Sequence, residues 1–351
     1  MDNLLKQLQQ LFYSNEKWNY YNLVDLPNPF TSPEFGNSKI FVKEFLDYSN
    51  KTKDIYDFLK LIKPDRNLHI VTDYFLGILL YENNTGIRTY IDHQIKNFTS
   101  ADNNSADNSF KYFWFLICFY HDVGYYFEKN IKSIGSLNTL EDDLKIGNKF
   151  PTLLGVPKLY NNVHGNYLKY RIEVCKVYDH GIVGGMLIYD RLIKIYNDKK
   201  NMIGQNSFTF KNLIWSESML KYFQLIASVI LTHNIWFKNE KVDPVDEIIL
   251  YKKYKLDKLI ISDSKRIITL KRFPLLFLLS LVDSIEPTKC YGVNFLNKIS
   301  FDFSVNSKMV IYLNCNIDNE VDNWFNKITS LNSWLNIRTN VKDNSYIEIF
   351  F

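Results

Sequence analysis

The chain is 351 residues long and carries a net charge of +4; 46% of its residues are hydrophobic and 16% aromatic. A chain of this kind can bury one large core with an appendage. The small charge, with no block of like sign, gives no nucleic-acid-binding arm, and the longest apolar runs, residues 113–120 and 274–282, are too short to cross a bilayer. Cys118, Cys175, Cys290 and Cys315 are widely spaced, form no CxxC pair and read as reduced packing residues. The N-terminus lacks a signal-peptide pattern, so a soluble cytoplasmic protein with no membrane partner is expected.

Residues 1–24 begin as an amphipathic helix through Leu4, Leu5, Leu8, Leu11 and Phe12, and Pro27, Pro29 and Pro33 then impose a loop. Helical spacing resumes over 39–63 and stops at Pro64-Asp65. Residues 66–81 read as a strongly apolar helix with His69 near its start, ended by Asn83-Asn-Thr-Gly86. Residues 100–109 are polar and nearly duplicated, which predicts a surface loop or disordered insertion. The run Phe113–Tyr120 is a buried helix leading directly into His121-Asp122-Val123-Gly124, and 130–165 reads as a loop-rich cover, with His164 in a loop. Next come a glycine-bearing helix over 178–193 that holds His180, an apolar helix over 222–236 that holds His233, and a more polar helix over 243–261. Residues 273–287 form a buried helix with Asp283 near its end. From about 297 the pattern changes to strands at 299–303 and 309–313, a helix at 321–335 and a strand at 346–351. The expected architecture is mainly α: an N-terminal helical segment over 1–60 packed on a helical core over 61–296, with a small α+β appendage (β-β-α-β) over 297–351. The appendage has no histidine and is expected to pack outside the bundle without supplying a ligand.

An imidazole and a carboxylate buried side by side are costly unless paired or bound to metal. Together they suit zinc, iron, manganese or nickel better than calcium. Any one of His69, His121, Asp122, His180, His233 and Asp283 has a plain explanation as a satisfied core or helix-end residue. The set does not, because all lie in or beside separate apolar helices in the order H…HD…H…H…D, which fits a two-metal site inside a helical bundle. His93 competes for the first position. His69 is preferred because it opens a long apolar helix, whereas His93 is followed by polar Gln94-Ile95-Lys96-Asn97.

Through Arg66-Asn-Leu-His69, Tyr120-His-Asp-Val-Gly124, His180-Gly-Ile-Val-Gly-Gly185, Leu231-Thr-His-Asn234 and Leu281-Val-Asp283, residues 60–290 resemble the HD-domain superfamily of metal-dependent phosphohydrolases, in its six-ligand, two-metal form. Two sequence features set the chain apart from the HD-GYP cyclic-dinucleotide phosphodiesterases. His233 is followed by Asn234-Ile235-Trp236, and Tyr125 stands where that branch has lysine. The resemblance implies an HD helical bundle and two divalent transition metals, manganese or iron, with nickel, zinc or magnesium as alternatives. They would be held by the six residues above, with Asp122 and His121 as the catalytic pair and Asp122 bridging. The implied partner is a small-molecule phosphoester or nucleotide, with a homodimer as a further expectation. Candidates to grip phosphate are Lys129, Lys132, Arg191, Lys271 and Arg272. Two other readings share the ligand set: a diiron oxygenase similar to myo-inositol oxygenase, and a non-catalytic nucleotide-sensing module.

Overall fold

The structure is a computed structural model. It describes Leu4, Lys6, Leu8 and residues 66–99, 106–128, 137–150, 163–203, 208–210, 213–215, 218–234, 244–256, 268–303, 307–314, 319–342 and 345–351. The expectations for residues 1–60 therefore fall outside the described residues, except that Leu4 and Leu8 are helical and buried.

The chain is mainly helical. Helix α1 (Arg66–Asn83) is followed after one residue by α2 (Thr85–Thr99). Asn84 makes the break and restarts the chain, because its Oδ1 accepts the Ile87 N–H at 2.9 Å, an N-cap bond that satisfies one of the free donors of α2. Ile87, Ile91 and Ile95 line the buried face of α2, and His93 lies on the exposed face beside Asn97. Helix α3 (Ala106–Tyr120) buries every residue from Phe113 to Tyr120, and its Trp114 Nε1–H donates to the Tyr74 carbonyl of α1 at 2.8 Å. The indole N–H thereby keeps a partner while the rings stay in the core.

Helices α4 (Gly124–Glu128), α5 (Leu137–Asp143) and α6 (Val163–Tyr170) follow, the last running into a π-helical turn over Arg171–Cys175. Helix α5 lies inside the 130–165 segment that the sequence suggests to be loop, and α6 begins at its end, so the backbone of His164 is helical. Helix α7 (His180–Ile203) is capped by Asp179, whose Oδ1 accepts the Gly181 and Ile182 N–H groups at 2.9 and 3.3 Å. A short hairpin, β1 (Phe208–Phe210) with β2 (Leu213–Trp215), leads to α8 (Ser218–Thr232). Helices α7 and α8 approach closely at Gly185, where a Cβ would fall 2.5 Å from the Leu231 Cγ and 2.8 Å from the Ala227 carbonyl oxygen. Helix α9 (Pro244–Lys253) is shorter than its sequence pattern suggests. Helix α10 (Pro274–Ile285) starts on a proline, as N1 tolerates, and all of its residues are buried. One turn of helix, α11 (Thr288–Tyr291), closes the bundle. Among the described residues no helix is long and apolar enough to cross a membrane. Cys118 and Cys175 are free thiols.

The C-terminal part is an antiparallel sheet of four strands in the order β3-β4-β6-β5, made of β3 (Ile299–Asp302), β4 (Lys308–Leu313), β5 (Arg338–Lys342) and β6 (Tyr346–Phe350), with α12 (Asn319–Ser330) between β4 and β5. It is therefore β-β-α-β-β, one strand more than expected. The extra strand, Arg338-Thr-Asn-Val-Lys342, is a polar edge strand with no buried side chain, so it lacks the apolar alternation that marks β6, where Ile347 and Ile349 are buried. Helix α12 buries Val321, Trp324, Phe325 and Ile328, and it touches both β5 and α10. That contact brings one end of the appendage to the end of α10 that carries Asp283.

Candidate metal centre

Three imidazoles converge at the ends of α1, α3 and α8. His69, in the first turn of α1, is held at Nδ1 by Glu286 Oε2 at 2.8 Å. Its Nε2 faces Asp73 Oδ2 at 3.1 Å, Asp283 Oδ1 at 3.1 Å and Asp122 Oδ2 at 4.0 Å. His121 and His233 follow the last residues of α3 and α8 and are built alike. In each the Nδ1–H donates to the carbonyl three residues back, Cys118 or Ile230, at 2.7 Å. A carbonyl only accepts, so the proton sits on Nδ1 and Nε2 carries the lone pair, the tautomer that a metal ligand needs. Burial pushes the His121 pKa down from its ordinary 6.5 to about 4, which keeps the ring neutral.

The side chains fall into two groups. His69, Asp73, His121 and Asp283 are all buried, with their ligand-type atoms within 4.8 Å of one another; Asp122, His180 and His233 form a second such group. Asp122 belongs near both, since its Oδ1 is 3.5 Å from His121 Nε2 and 3.7 Å from His180 Nε2, while Oδ2 turns toward His69. Gly124 makes this possible. A Cβ there would lie 1.9 Å from the His180 carbonyl oxygen, so only glycine lets the start of α4 meet the start of α7 and bring Asp122 to His180. His180 is further held by Tyr125, stacked on it at 3.7 Å between centroids, and by the Asn234 amide nitrogen at 2.8 Å from Nε2. Atoms bound ~2.1 Å from one cation lie ~3.0 to 3.4 Å apart, so the donor types fit metal binding; the 3.1 Å separations of His69 Nε2 from Asp73 and Asp283 lie in that range, and the 3.5 and 3.7 Å separations of Asp122 from His121 and His180 are wider.

The second group opens onto a cavity of about 370 Å³ lined by Asp122, Tyr125, Tyr167, Arg171, Asp179, His180, His233, Asn234, Asp283 and Lys327. His69, Asp73 and His121 do not line it and are fully buried. The Tyr167 hydroxyl donates to the Asn234 carbonyl at 3.0 Å, and Arg171 stands 4.0 Å from Asp179. Lys327 comes from α12, with its Nζ 3.4 Å from the Asp283 carbonyl oxygen.

The structure thus brings all of His69, His121, Asp122, His180, His233 and Asp283 into one cluster, and leaves His93 exposed. The basic residues fare differently. Lys129 and Lys132 lie outside the described residues. Arg191, Lys271 and Arg272 do not line the cavity. Arg191 is eleven residues along α7 from His180, about 16 Å by helix rise, and pairs with Asp190 at 3.2 Å. Lys271 and Arg272 precede the first turn of α10, whereas Asp283 is near its last, a similar distance; Arg272 lies over the Phe273 ring. The cations that line the cavity are instead Arg171 and Lys327, so the appendage contributes to the site, though with no acidic side chain among the described residues. Sequence reasoning also missed Asp73 and Glu286. Each carried a signal, one turn of helix after His69 and after Asp283 respectively. Lys327 carried none.

Comparison with protein-family models, with curated proteins and with solved structures finds no match to this chain.

Proposed function

We propose that the chain is a metal-dependent phosphohydrolase of the HD type that hydrolyses a phosphoester of nucleotide size, with two divalent transition-metal ions, manganese or iron, in the cluster described above. The observation that supports this most is the common construction of three imidazoles. His69, His121 and His233 each have Nδ1 held by an acceptor, and in His69 and His121 the Nε2 faces several carboxylates. Bound there, divalent cations acidify a coordinated water and neutralise charge on a phosphoryl group. The chain supplies the rest. Asp122, turned toward both groups, is the residue that links them. Tyr125 stacks on the His180 ring at the cavity floor, and the Asn234 amide holds His180 Nε2, the position a bound cation would take over. Arg171 and Lys327 are the cations of a wall that also carries Asp122, Asp179 and Asp283, and they would hold the oxygens of an anionic ligand by charge-assisted hydrogen bonds. A cavity of about 370 Å³ is within the range of small-molecule sites. In the reaction, water adds to phosphorus as the ester P–O bond breaks, giving a phosphate and an alcohol.

The test is release of phosphate or nucleoside monophosphate from a panel of phosphoesters under argon with Mn²⁺ or Fe²⁺, using the wild type and Asp122→Asn. Turnover without air that is abolished in Asp122→Asn is expected. Oxygen consumption coupled to oxidation of a diol or phosphonate, with no phosphoester cleaved, overturns the proposal in favour of the diiron oxygenase.

A further inference from the structure

We infer that Asp73 is a metal ligand, closing with His69, His121 and Asp283 an inner metal position that is shielded from the cavity, while Asp122, His180 and His233 form an outer, exchangeable position that meets substrate; this rests on the two-metal reading above. The key atom is His121 Nε2. It is fully buried and has no hydrogen-bond partner among the described residues. Its lone pair faces Asp122 Oδ1, Asp73 Oδ2 and Asp283 Oδ1 at 3.5, 3.9 and 4.0 Å. Those separations exceed hydrogen-bond length. A nitrogen lone pair pointing at carboxylate oxygens is repulsive unless a cation lies between them.

Asp73 shares that focus. Its Oδ2 is 3.1 Å from His69 Nε2 and 3.9 Å from His121 Nε2, so one carboxylate oxygen addresses both imidazoles. A purely structural role, steadying the His69 ring, is already filled by Glu286 at Nδ1, and it would leave the facing of His121 without a cause. The two positions differ in access. His69, Asp73 and His121 are fully buried and absent from the cavity wall, whereas all of Asp122, His180 and His233 line it. Of the inner group only Asp283 reaches the cavity wall, and it is 5% exposed, so four protein ligands make a nearly closed site; three facing the cavity leave a coordination position for water or substrate.

The experiment uses the full chain loaded with Mn²⁺ under argon, with metal counted by mass spectrometry and release to EDTA followed in time. The wild type is expected to hold two equivalents and to lose them in two phases, the outer ion at least ten times faster. Asp73→Asn is expected to retain one equivalent, with inner-site affinity down by more than the ~10–100-fold that loss of an outer-shell partner costs. His180→Asn should instead lose the fast-released ion. Wild type that binds two ions while Asp73→Asn binds both with unchanged affinity overturns the inference and leaves the two-metal reading standing. Wild type that binds no metal overturns both. If Asp73→Asn does not fold, the wild-type release decides: two ions leaving in a single phase overturn the closed inner position.

Discussion

Replacing Glu286 by Gln changes one proton at a time in the chain that aims His69. Glu286 is buried and uses both oxygens: Oε2 holds His69 Nδ1 at 2.8 Å, and Oε1 accepts the Thr288 N–H at 2.6 Å. A glutamine of the same shape can keep only one of these bonds. If its oxygen stays on Thr288, its NH₂ faces Nδ1, which must then accept. The His69 proton moves to Nε2, against the cation. If the amide turns over, the NH₂ meets the Thr288 N–H and leaves a buried donor unsatisfied, at about 1–3 kcal/mol. The less costly arrangement sets the outcome, and both lie in the range of a 10–100-fold loss of metal affinity, about 1.4–2.7 kcal/mol. Chelator-buffered Mn²⁺ titration of wild type and Glu286→Gln measures this. The tighter of the two dissociation constants should rise 10–100-fold, with a native circular-dichroism spectrum and the weaker constant within about threefold of wild type. An unchanged tighter constant would refute the idea that a carboxylate–imidazole pair orients His69 for metal.

In metal-free protein, the depressed His121 pKa makes stability depend on pH. The unfolded chain binds this proton near pH 6.5 and the folded one only near 4, so stability is full above 6.5 and falls as pH drops toward 4, by about 3 kcal/mol. Denaturant midpoints of EDTA-treated wild type should show that fall relative to His121→Asn, and parallel pH curves would count against it. Gly124→Ala puts a methyl 1.9 Å from the His180 carbonyl oxygen, so melting should reveal a loss of roughly 1–3 kcal/mol, accompanied by loss of the faster-released metal ion. An unshifted melt with full metal content would show that the contact relaxes freely. Lys327→Met should raise KM for a phosphoester about 10-fold or more while metal content stays unchanged. An unaltered KM removes Lys327 from substrate binding.

The cluster was largely legible in the sequence for a physical reason. His69, His121, Asp122 and Asp283 each put a polar group into an apolar helix or at its end, where burial without a partner is costly, so their presence demands an explanation. Asp73 was available by the same logic at four residues from His69, but a lone acid in a helix is commonly a solvated one, and nothing in one dimension says which face is covered. Lys327 was not legible at all. It reaches Asp283 from 44 residues away, on an amphipathic helix whose lysine looks like any exposed charge. The same blindness misplaced Arg191, Lys271 and Arg272, which are near the ligands in sequence but a helix length away in space. In the fold, buried periodic segments such as Phe113–Tyr120 and Pro274–Ile285 announce themselves. The edge strand Arg338–Lys342 pairs through its backbone and polar side chains such as Asn340, which donates to Glu348, so it shows no apolar alternation to read.

The most direct test of the central claim is the origin of the oxygen atom that enters the product. Turnover of a cleaved phosphoester in H₂¹⁸O under argon, with the released phosphate analysed by mass spectrometry, should give one solvent-derived ¹⁸O per bond broken, and none in Asp122→Asn. No label in phosphate from water, together with ¹⁸O from ¹⁸O₂ in an oxidised organic product, would contradict the account.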